Sequence, residues 1–216
     1  MKRYYIKIML LFFLFSTLFS VLSVKADLPL QGKVIVVDAG HGGLDPGSVY
    51  KNIYEKNINL NISLFLRENL SKMGATVVLT RDSDADLSNG AKNHRKKADF
   101  DERIKLINNK YTDLYISIHL NYLADSRYYG AQVFYNKKNQ KLAEKIQEYL
   151  NKHIKGSRDA KKIPSSTYMY SKLTKPGVLI ECGFLSNDIE RSKLITKEYQ
   201  EKFASILAQA IADYYN

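Results

Sequence analysis

The sequence predicts an α/β fold, with a single domain built on a mostly parallel, twisted sheet of about six strands and helices on both faces. Short apolar runs of strand length alternate along the chain with longer segments in which apolar residues recur at helical spacing. Glycine-rich or charged stretches separate these runs. Strands that are joined through helices are typical of parallel sheets covered on both faces.

The first 26 residues of the 216-residue chain are distinct in composition from the rest. Lys2 and Arg3 form a positive start ahead of the apolar run 8–24, and small residues precede an expected cut after Ala26, an order typical of a signal peptide. The run is also at the short limit for a membrane span, so an uncleaved anchor is the alternative. We expect residues 1–26 to engage the membrane during export and residues 27–216 to form the folded domain.

The chain is basic, with 33 Lys and Arg against 22 Asp and Glu and a net charge of +11. Four of the basic residues and none of the acidic ones lie within residues 1–26, so the predicted domain keeps an excess of basic residues. A basic exported domain is attracted to anionic polymers, although a lysine-rich surface also serves solubility. Export, together with the lack of any helix-turn-helix, zinc-finger or RNP-like motif, argues against nucleic acid as a partner.

The first half of the predicted domain alternates strand and helix patterns. The apolar run 33–38 predicts a strand that ends in a glycine-rich turn, and residues 55–73 repeat apolar side chains at helical spacing up to Gly74 as a C-terminal cap. Residues 75–80 predict a second strand. Residues 82–98 are polar, charged and aperiodic, which predicts a long surface loop.

The second half continues this alternation to the C-terminus. A short helix is predicted at 101–109, with Ile104 and Ile107 inward, followed by strands at 114–120 and 130–135. A helix at 140–153, a lysine-rich loop at 154–166, a last core strand at 178–182 and one or two helices at 190–215 complete the predicted domain. In the C-terminal segment, Phe203, Leu207 and Ile211 recur on one helical face. The whole domain is therefore expected to bury helices against a central sheet.

Four ionisable residues stand where predicted strands end or a predicted helix begins. His41 follows the first strand, His119 and Glu181 close two others, and Glu55 opens the first long helix. Because the carboxyl ends of parallel strands line one crevice, we expect these side chains to lie close together. Two imidazoles and one carboxylate form a known ligand set for catalytic zinc, and a second carboxylate then serves as general base.

Each of these residues has a simpler interpretation when it is taken singly. A histidine at a strand end is commonly just a satisfied polar residue, and a glutamate such as Glu55 in the first turn complements the helix dipole. Glu181 is the more informative residue, because a carboxylate inside the apolar run VLIEC is costly to bury unless it is paired or coordinated.

Two other kinds of site are alternatives to the zinc site. A Cys–His hydrolase would use Cys182 as nucleophile and His119 as base, but it leaves Glu55 and Glu181 without roles, and a lone Cys in an apolar strand is typically a buried thiol. The segment GHGGLDPG lacks the ending of a phosphate-binding loop and does not match GxGxxG. The remaining histidines, His94 and His153, lie in polar segments and are predicted on the surface.

Five sequence motifs follow one another from about residue 32 to the C-terminus. They are VIVVDAGHGGLDPG, the Glu55 segment with Asn59 and Leu60, VVLTRD, SIHLN and GVLIECGFLSN. Together and in this order, they resemble the zinc-dependent N-acetylmuramoyl-L-alanine amidases of the amidase-3 type. The resemblance implies a single α/β domain around a six-stranded sheet.

The resemblance also implies the roles of the four ionisable residues. One zinc ion would be held by His41, Glu55 and His119, and Glu181 would be the catalytic carboxylate. The implied reaction is hydrolysis of the amide between the lactyl group of N-acetylmuramic acid and the L-alanine of the peptidoglycan stem peptide. The implied partner is therefore peptidoglycan.

Two segments depart from the usual pattern of this family. Arg103 is kept in the helix before SIHLN, but Ile107 and Asn108 replace the usual small residue. The segment before the last strand, TYMYSKLTKPG, is also altered, and it is expected to shape the substrate groove. Arg103 and Asn121 are predicted to orient substrate, with support of the fold as the alternative for Arg103.

A short export segment joined to a bare catalytic domain resembles the sporulation amidases of spore-forming Gram-positive bacteria. These strip peptides from muramic acid so that muramic δ-lactam forms in the spore cortex, which predicts a location in the cell envelope or the intermembrane space of the spore. The alternative is an amidase-fold peptidoglycan-binding protein that is inactive until an activator protein engages it. Residues 82–98 and 154–172 are candidate regulatory surfaces, with plain loops as the alternative.

Overall fold

The computed structural model describes residues 28–136 and 139–216. The predicted signal peptide or anchor, residues 1–26, lies outside the described residues, so the boundary at residue 27 stays a prediction. Within the described ranges, none of the helices combines the length and the apolar character needed to cross a membrane.

The strands and helices of the described residues are numbered here along the chain. The strands are β1 (Val34–Ala39), β2 (Val49–Tyr50), β3 (Ile53–Tyr54), β4 (Thr76–Leu79), β5 (Leu114–Asn121), β6 (Gln132–Tyr135), β7 (Lys161–Lys162) and β8 (Gly177–Phe184). The helices are α1 (Glu55–Lys72), α2 (Arg95–Ile107), α3 (Gln140–His153), α4 (Tyr168–Lys172), α5 (Asp188–Leu194) and α6 (Lys197–Tyr215).

Six strands form one twisted sheet in the order β4-β1-β5-β8-β6-β7. All neighbouring strands in it run parallel except β6 and β8, which pair antiparallel. Strands β2 and β3 form a separate small hairpin that leads into α1. The prediction of a single domain with a mostly parallel sheet of about six strands is confirmed.

The two faces of the sheet are covered by different helices. The face that packs against α1, α3 and α6, here called the apolar face, holds the main hydrophobic core, in which Ile35 and Val37 of β1 are fully buried. Val36 points the other way, into a smaller cluster with residues of α2 and α4. This second face, here called the polar face, also carries the buried Asp38 and Ser117.

The predicted loop 82–98 and the predicted helix 101–109 are both wrong in their bounds, because α2 already begins at Arg95 and ends at Ile107. The stripe that α2 buries consists of Asp99, Arg103 and Ile107, at intervals of four residues. Because two of these three residues are charged, the buried side of α2 shows no apolar periodicity in the sequence ahead of residue 103.

The predicted lysine-rich loop 154–166 is also corrected, because it contains β7, the sixth strand of the sheet. This strand is two residues long, lies at the sheet edge and consists of Lys161 and Lys162, so it carries no apolar run. Helix α4 was not predicted either, and it follows directly in the altered segment before β8.

The C-terminal segment divides into two helices, within the predicted one or two. The Asn187 side chain accepts hydrogen bonds from the backbone N–H groups of Ile189 and Glu190, which starts α5. Thr196 accepts from the N–H of Tyr199 in the same way and starts α6. These caps place α6 across the apolar face, where it packs against α1 and α3.

Candidate metal centre

His41 is presented by a tight loop at the carboxyl end of β1. Its backbone has a left-handed φ of 62°, and two glycines with positive φ follow it. A Cβ atom at Gly40 would lie 2.3 Å from the His119 ring, and one at Gly47 would lie 2.7 Å from Glu55 Oε2. The glycines in the motif therefore allow the three functional side chains to approach the loop closely.

Two buried arginines hold this loop from behind. Arg103 donates to the carbonyl oxygens of Ala39 and His41 at 2.8 and 2.6 Å, and Arg81 donates to those of Ala39 and Gly40, both at 2.9 Å. Each guanidinium fixes several carbonyls at once because its donors form a rigid fork. The two arginines therefore set the position of His41 without contacting its ring.

Glu55 is the first residue of α1, and backbone groups hold both of its carboxylate oxygens. Oε2 accepts from the N–H of Ser48 at 2.8 Å, and Oε1 accepts from the N–H of Leu120 at 3.0 Å and from the Asn59 side chain at 3.1 Å. Burial alone would raise the pKa of Glu55, but its contacts with the His119 and His41 imidazoles hold it well below its usual range. The carboxylate is therefore ionised and fixed in place.

His41, Glu55 and His119 converge on one point at the carboxyl edge of the sheet. His41 Nε2 and His119 Nδ1 each lie 3.1 Å from Glu55 Oε1, and the two rings are 5.0 Å apart. One possible ligand atom from each residue lies within 4.8 Å of those of the others. The structure thus brings together the three residues that the sequence analysis predicted as metal ligands.

Asp45 holds the far side of the His41 ring. Its Oδ2 lies 2.9 Å from His41 Nδ1, which directs Nε2 toward Glu55. Burial tends to lower the pKa of His41, but its contacts with Asp45 and Glu55 raise it to about 9. A carboxylate behind a ligand histidine is a common way to orient the ring and increase its basicity. Asp45 was not singled out from the sequence, although its position four residues after His41 was a usable signal.

Glu181 lies beside His119, because the two residues are register partners on the parallel strands β8 and β5. Its Oε2 atom is buried and has no hydrogen-bond partner within the described residues. Burial raises the pKa of Glu181 to about 7, and the negative charge of Glu55 contributes further to this rise. A carboxyl group with such a pKa accepts and releases protons near neutral pH.

The two residues predicted to orient substrate differ in their surroundings. Arg103 is only 2% exposed, and it pairs with Asp38 at 2.7 Å and with Asp99 at 2.9 Å in addition to its loop contacts. These contacts favour support of the fold. Asn121 is partly exposed at the end of β5, close to a register irregularity. A role of either residue in binding substrate stays a prediction.

The structure also places the residues of the alternative interpretations. Cys182 is fully buried in the apolar face, opposite in direction to Glu181, and burial raises the pKa of its thiol well above the usual value. This placement argues against a thiolate nucleophile. His94 and His153 are exposed, as predicted.

Behind His119, the polar face carries further polar residues that the sequence analysis did not identify. Tyr170 of α4 places its hydroxyl 3.4 Å from His119 Nε2 and 3.0 Å from Ser117 Oγ, and Ser117 in turn donates to Asp38. Asp38 and Ser117 lie inside the motifs DAGHGG and SIHLN, so motif membership was their only signal. No pattern in the sequence marked Tyr170.

Two imidazoles and a carboxylate at the carboxyl edge of an α/β sheet, with a second carboxyl group beside them, are typical of metal-dependent hydrolases. The family model described as N-acetylmuramoyl-L-alanine amidase, Amidase_3, matches residues 35–213. The chain belongs to this amidase family.

Individual relatives agree with this membership. The germination-specific N-acetylmuramoyl-L-alanine amidase of Bacillus subtilis (strain 168) is 43% identical over 196 residues, which cover 88% of this chain and 82% of the relative. The solved structure of the CwlD amidase from Clostridioides difficile, in complex with the GerS lipoprotein, is similar with a TM-score of 0.79 and 39% identity, over 84% of this chain and 98% of that one. An N-acetylmuramoyl-L-alanine amidase from Clostridium difficile 630 gives a TM-score of 0.75 at 30% identity, over 84% of this chain and 96% of that one.

Proposed function

We propose that this chain is a zinc-dependent amidase that cleaves the bond between N-acetylmuramic acid and L-alanine in peptidoglycan. The observation that carries the proposal is the convergence of His41 Nε2 and His119 Nδ1 on Glu55 Oε1, each at 3.1 Å, with Glu181 on the neighbouring strand. Membership of the amidase family supports the substrate class.

The donor set fits zinc better than the hard divalent cations. Two imidazole nitrogens and one carboxylate oxygen form a known catalytic zinc set, whereas calcium and magnesium prefer sites made only of oxygen ligands. In a four-coordinate zinc site, His41, Glu55 and His119 would hold the metal and one position would remain for water or substrate. When bound, zinc supplies polarisation of the lactyl carbonyl and lowers the pKa of a water molecule to about 7.

Glu181 is the residue that moves the proton in this proposal. It takes a proton from the attacking water and then donates it to the alanine nitrogen as the amide C–N bond breaks. Burial raises the pKa of this carboxyl group, which favours a residue that must be a base first and an acid afterwards. The buried Oε2 atom, which has no partner among the described residues, is free to make this contact.

The test uses Glu181→Gln, with zinc content measured alongside turnover on defined muropeptides by mass spectrometry. We expect zinc to be retained and turnover to fall about 10²–10⁴-fold, the usual contribution of a positioned general base. Glu198→Gln, on the exposed side of α6, is the matched control and should leave both values unchanged. Turnover near wild type in Glu181→Gln would overturn the role of Glu181. Activity that survives a strong chelator would overturn the metal.

We propose further that the substrate is the peptidoglycan of the spore, where peptide removal precedes formation of muramic δ-lactam in the cortex. The 43% identity to a germination-specific amidase supports this role. Deletion of the gene should abolish muramic δ-lactam in spore muropeptides, and the wild-type chain, but not Glu181→Gln, should restore it. Normal cortex in the deletion strain would instead indicate a role in the vegetative wall.

Export through residues 1–26 is part of the same proposal, since peptidoglycan lies outside the membrane. The expectation is a mature protein that begins near residue 27. Mass spectrometry of the protein recovered from the cell envelope would find that start if the segment is cleaved, and the full-length mass if it remains as an anchor.

A second candidate function is an amidase that needs an activator protein. A structural neighbour was solved in complex with the GerS lipoprotein, which makes a protein partner a specific hypothesis for this chain. The loop before α2 is a route for such control, because Asp84 accepts from the N–H of Gly43 at 2.9 Å and pairs with Lys56 at 2.7 Å. A partner that displaces Asp84 would therefore act directly on the His41 loop.

Purified protein distinguishes the two candidates. A chain that binds zinc poorly and cleaves muropeptides only after a partner is added needs an activator. Full zinc occupancy and turnover of the isolated chain would exclude that need. Asp84→Asn should change zinc affinity in the isolated chain if the loop before α2 controls the site, whereas Asp82→Asn, an exposed neighbour, should not.

A further inference from the structure

A continuous chain of hydrogen bonds runs beneath the metal centre on the polar face. Arg103 Nη1 donates to Asp38 Oδ1 at 2.7 Å, and Ser117 Oγ donates to Asp38 Oδ2 at 2.6 Å. The Tyr170 hydroxyl lies 3.0 Å from Ser117 Oγ and 3.4 Å from His119 Nε2. These hydrogen bonds therefore link the buried ion pair of Arg103 and Asp38 to the far side of His119, a predicted metal ligand.

The donors along this chain can be assigned from one end to the other. A hydroxyl has a single hydrogen, and that of Ser117 goes to the Asp38 carboxylate. Tyr170 must then donate its own hydrogen to Ser117 Oγ. Its oxygen is left as an acceptor toward His119, so the matching donor is a hydrogen on Nε2 of His119.

The other ring nitrogen of His119 faces a competing acceptor. Nδ1 lies 3.1 Å from Glu55 Oε1, so a hydrogen on Nδ1 would donate to that carboxylate. In that tautomer, the nitrogen that faces His41 and Glu55 would have no lone pair for a metal. The hydrogen-bond chain and the metal site thus require the same tautomer, and the contact with Glu55 favours the opposite one.

We propose that Tyr170 is a positioning residue that holds His119 as the Nε2–H tautomer and so presents Nδ1 to the metal. This inference rests on the proposed zinc site. Asn136 donates to the Tyr170 carbonyl at 2.7 Å and helps to hold α4 in place. Tyr170 lies in the segment before β8 that departs from the family's usual pattern. The proposed role of Tyr170 therefore depends on the α4 helix of this protein.

Tyr115 offers a matched control on the same face. Tyr115 and Tyr170 are both buried in the small cluster beneath α2 and α4. The Tyr115 hydroxyl is buried but makes no hydrogen bond within the described residues, whereas that of Tyr170 joins Ser117 to His119. Tyr115→Phe and Tyr170→Phe therefore remove the same atom from the same cluster, but only Tyr170→Phe interrupts the series of hydrogen bonds.

The first measurement is zinc affinity by competition with a fluorescent chelator. Tyr170→Phe should weaken zinc binding about 10–100-fold, the usual effect of removing a group that orients a metal ligand. Tyr115→Phe should bind zinc like wild type. Equal affinity in the two variants, whether both are lowered or both unchanged, would overturn the proposal.

The second measurement reads the tautomer directly in metal-free protein. Nitrogen-15 NMR of labelled histidine shows which ring nitrogen carries the hydrogen, and a His119→Gln sample assigns the signal. We expect Nε2–H in wild type and in Tyr115→Phe, with a shift toward Nδ1–H in Tyr170→Phe. A wild-type His119 with its hydrogen on Nδ1 would overturn the proposal even if zinc affinity changed.

These readouts separate this inference from the proposed function. If the wild-type chain fails to bind zinc, the proposed metal site is wrong, but the tautomer measurement still decides the role of Tyr170. If zinc binds and Glu181→Gln keeps full turnover, the proposed chemistry is wrong while both tests of Tyr170 remain valid. Circular dichroism spectra of the two Phe variants that match wild type would show that the fold is retained.

Discussion

The apolar and polar faces of the same sheet are stabilised by different interactions. On the apolar face, α1, α3 and α6 bury hydrocarbon side chains such as Leu66, Phe203 and Leu207. On the polar face, α2 contributes Arg103 and Asp99, and Arg103 pairs with Asp38 of β1. One face is held mainly by non-directional burial and the other largely by directional bonds between buried charges.

The difference follows from what each face has to position. His119 and Glu181 alternate with residues of the apolar core and so point to the polar face, where the His41 loop also lies. Hydrocarbon packing supplies most of the folding free energy but tolerates small shifts of a side chain. Charge-assisted hydrogen bonds fix both distance and direction, which predicted ligands on a loop, a helix and a strand require.

Removal of the central charge should have the largest effect. Arg103→Leu leaves Asp38 and Asp99 buried without their partner, so we expect the free energy of unfolding to fall by about 3–5 kcal/mol. Zinc affinity should fall as well, because the His41 carbonyl loses a donor. Urea denaturation and metal analysis measure the two effects. Arg67→Leu, at an exposed position on α1, should match wild type. An Arg103→Leu protein that unfolds at the wild-type urea concentration would contradict this account.

A cavity in the apolar face should destabilise the fold without changing the site. Leu207→Ala removes a fully buried side chain of α6, and we expect a loss of about 2–5 kcal/mol in the free energy of unfolding. The folded fraction should keep wild-type zinc affinity and turnover, because Leu207 lies in the core of the apolar face and the site residues lie on the polar face. Reduced zinc affinity per folded molecule would show that the two faces are not separable.

Low pH should lower the stability of the fold mainly through the polar face. Burial opposes the charge of Asp38, but Arg103 and Ser117 hold the pKa of this carboxyl below its usual value. Because the folded-state pKa is the lower one, the stabilisation is present above about pH 4 and is lost as the pH falls through the folded-state pKa. Asp38→Asn should show a smaller loss of urea midpoint between pH 7 and pH 3 than wild type. Equal losses would assign the acid sensitivity to other carboxylates.

The smallest effect is expected at an exposed ion pair that joins two helices of the apolar face. Lys145 pairs with Asp213 at 3.0 Å, and both side chains are open to solvent. Solvent and salt screen such a pair, so Lys145→Met should leave the urea midpoint unchanged at 0.15 M salt. A clear destabilisation would mean that charge pairs also support the apolar face.

The sequence predicted the apolar face more accurately than the polar face. The bounds of α3 agree with the prediction, and those of α1 agree within one residue, because both helices bury periodic apolar residues. The start of α2 was wrong because its buried stripe is charged, and β7 was missed because a two-residue edge strand of lysines has no pattern. A hydrophobic period reveals only those elements that bury hydrocarbon.

The candidate site shows the same division. His41, Glu55, His119 and Glu181 were identified because residues at strand ends and at a helix start meet at one edge of a parallel sheet. Their catalytic roles stay predictions until zinc and turnover are measured. Tyr170 was not identified, because its link to His119 spans 51 residues of chain and depends on where α4 packs.

The sequence by itself determined the fold class, the family and the four candidate residues of the site. Local periodicity specifies strands and helices, and chain order along a parallel sheet specifies which ends meet. The tertiary structure decided how those residues are held: the buried charges around Arg103, the Asp45 contact behind His41, and the hydroxyl that Tyr170 offers to His119. These contacts join residues on separate elements, and their distances and directions exist only once both faces of the sheet have packed.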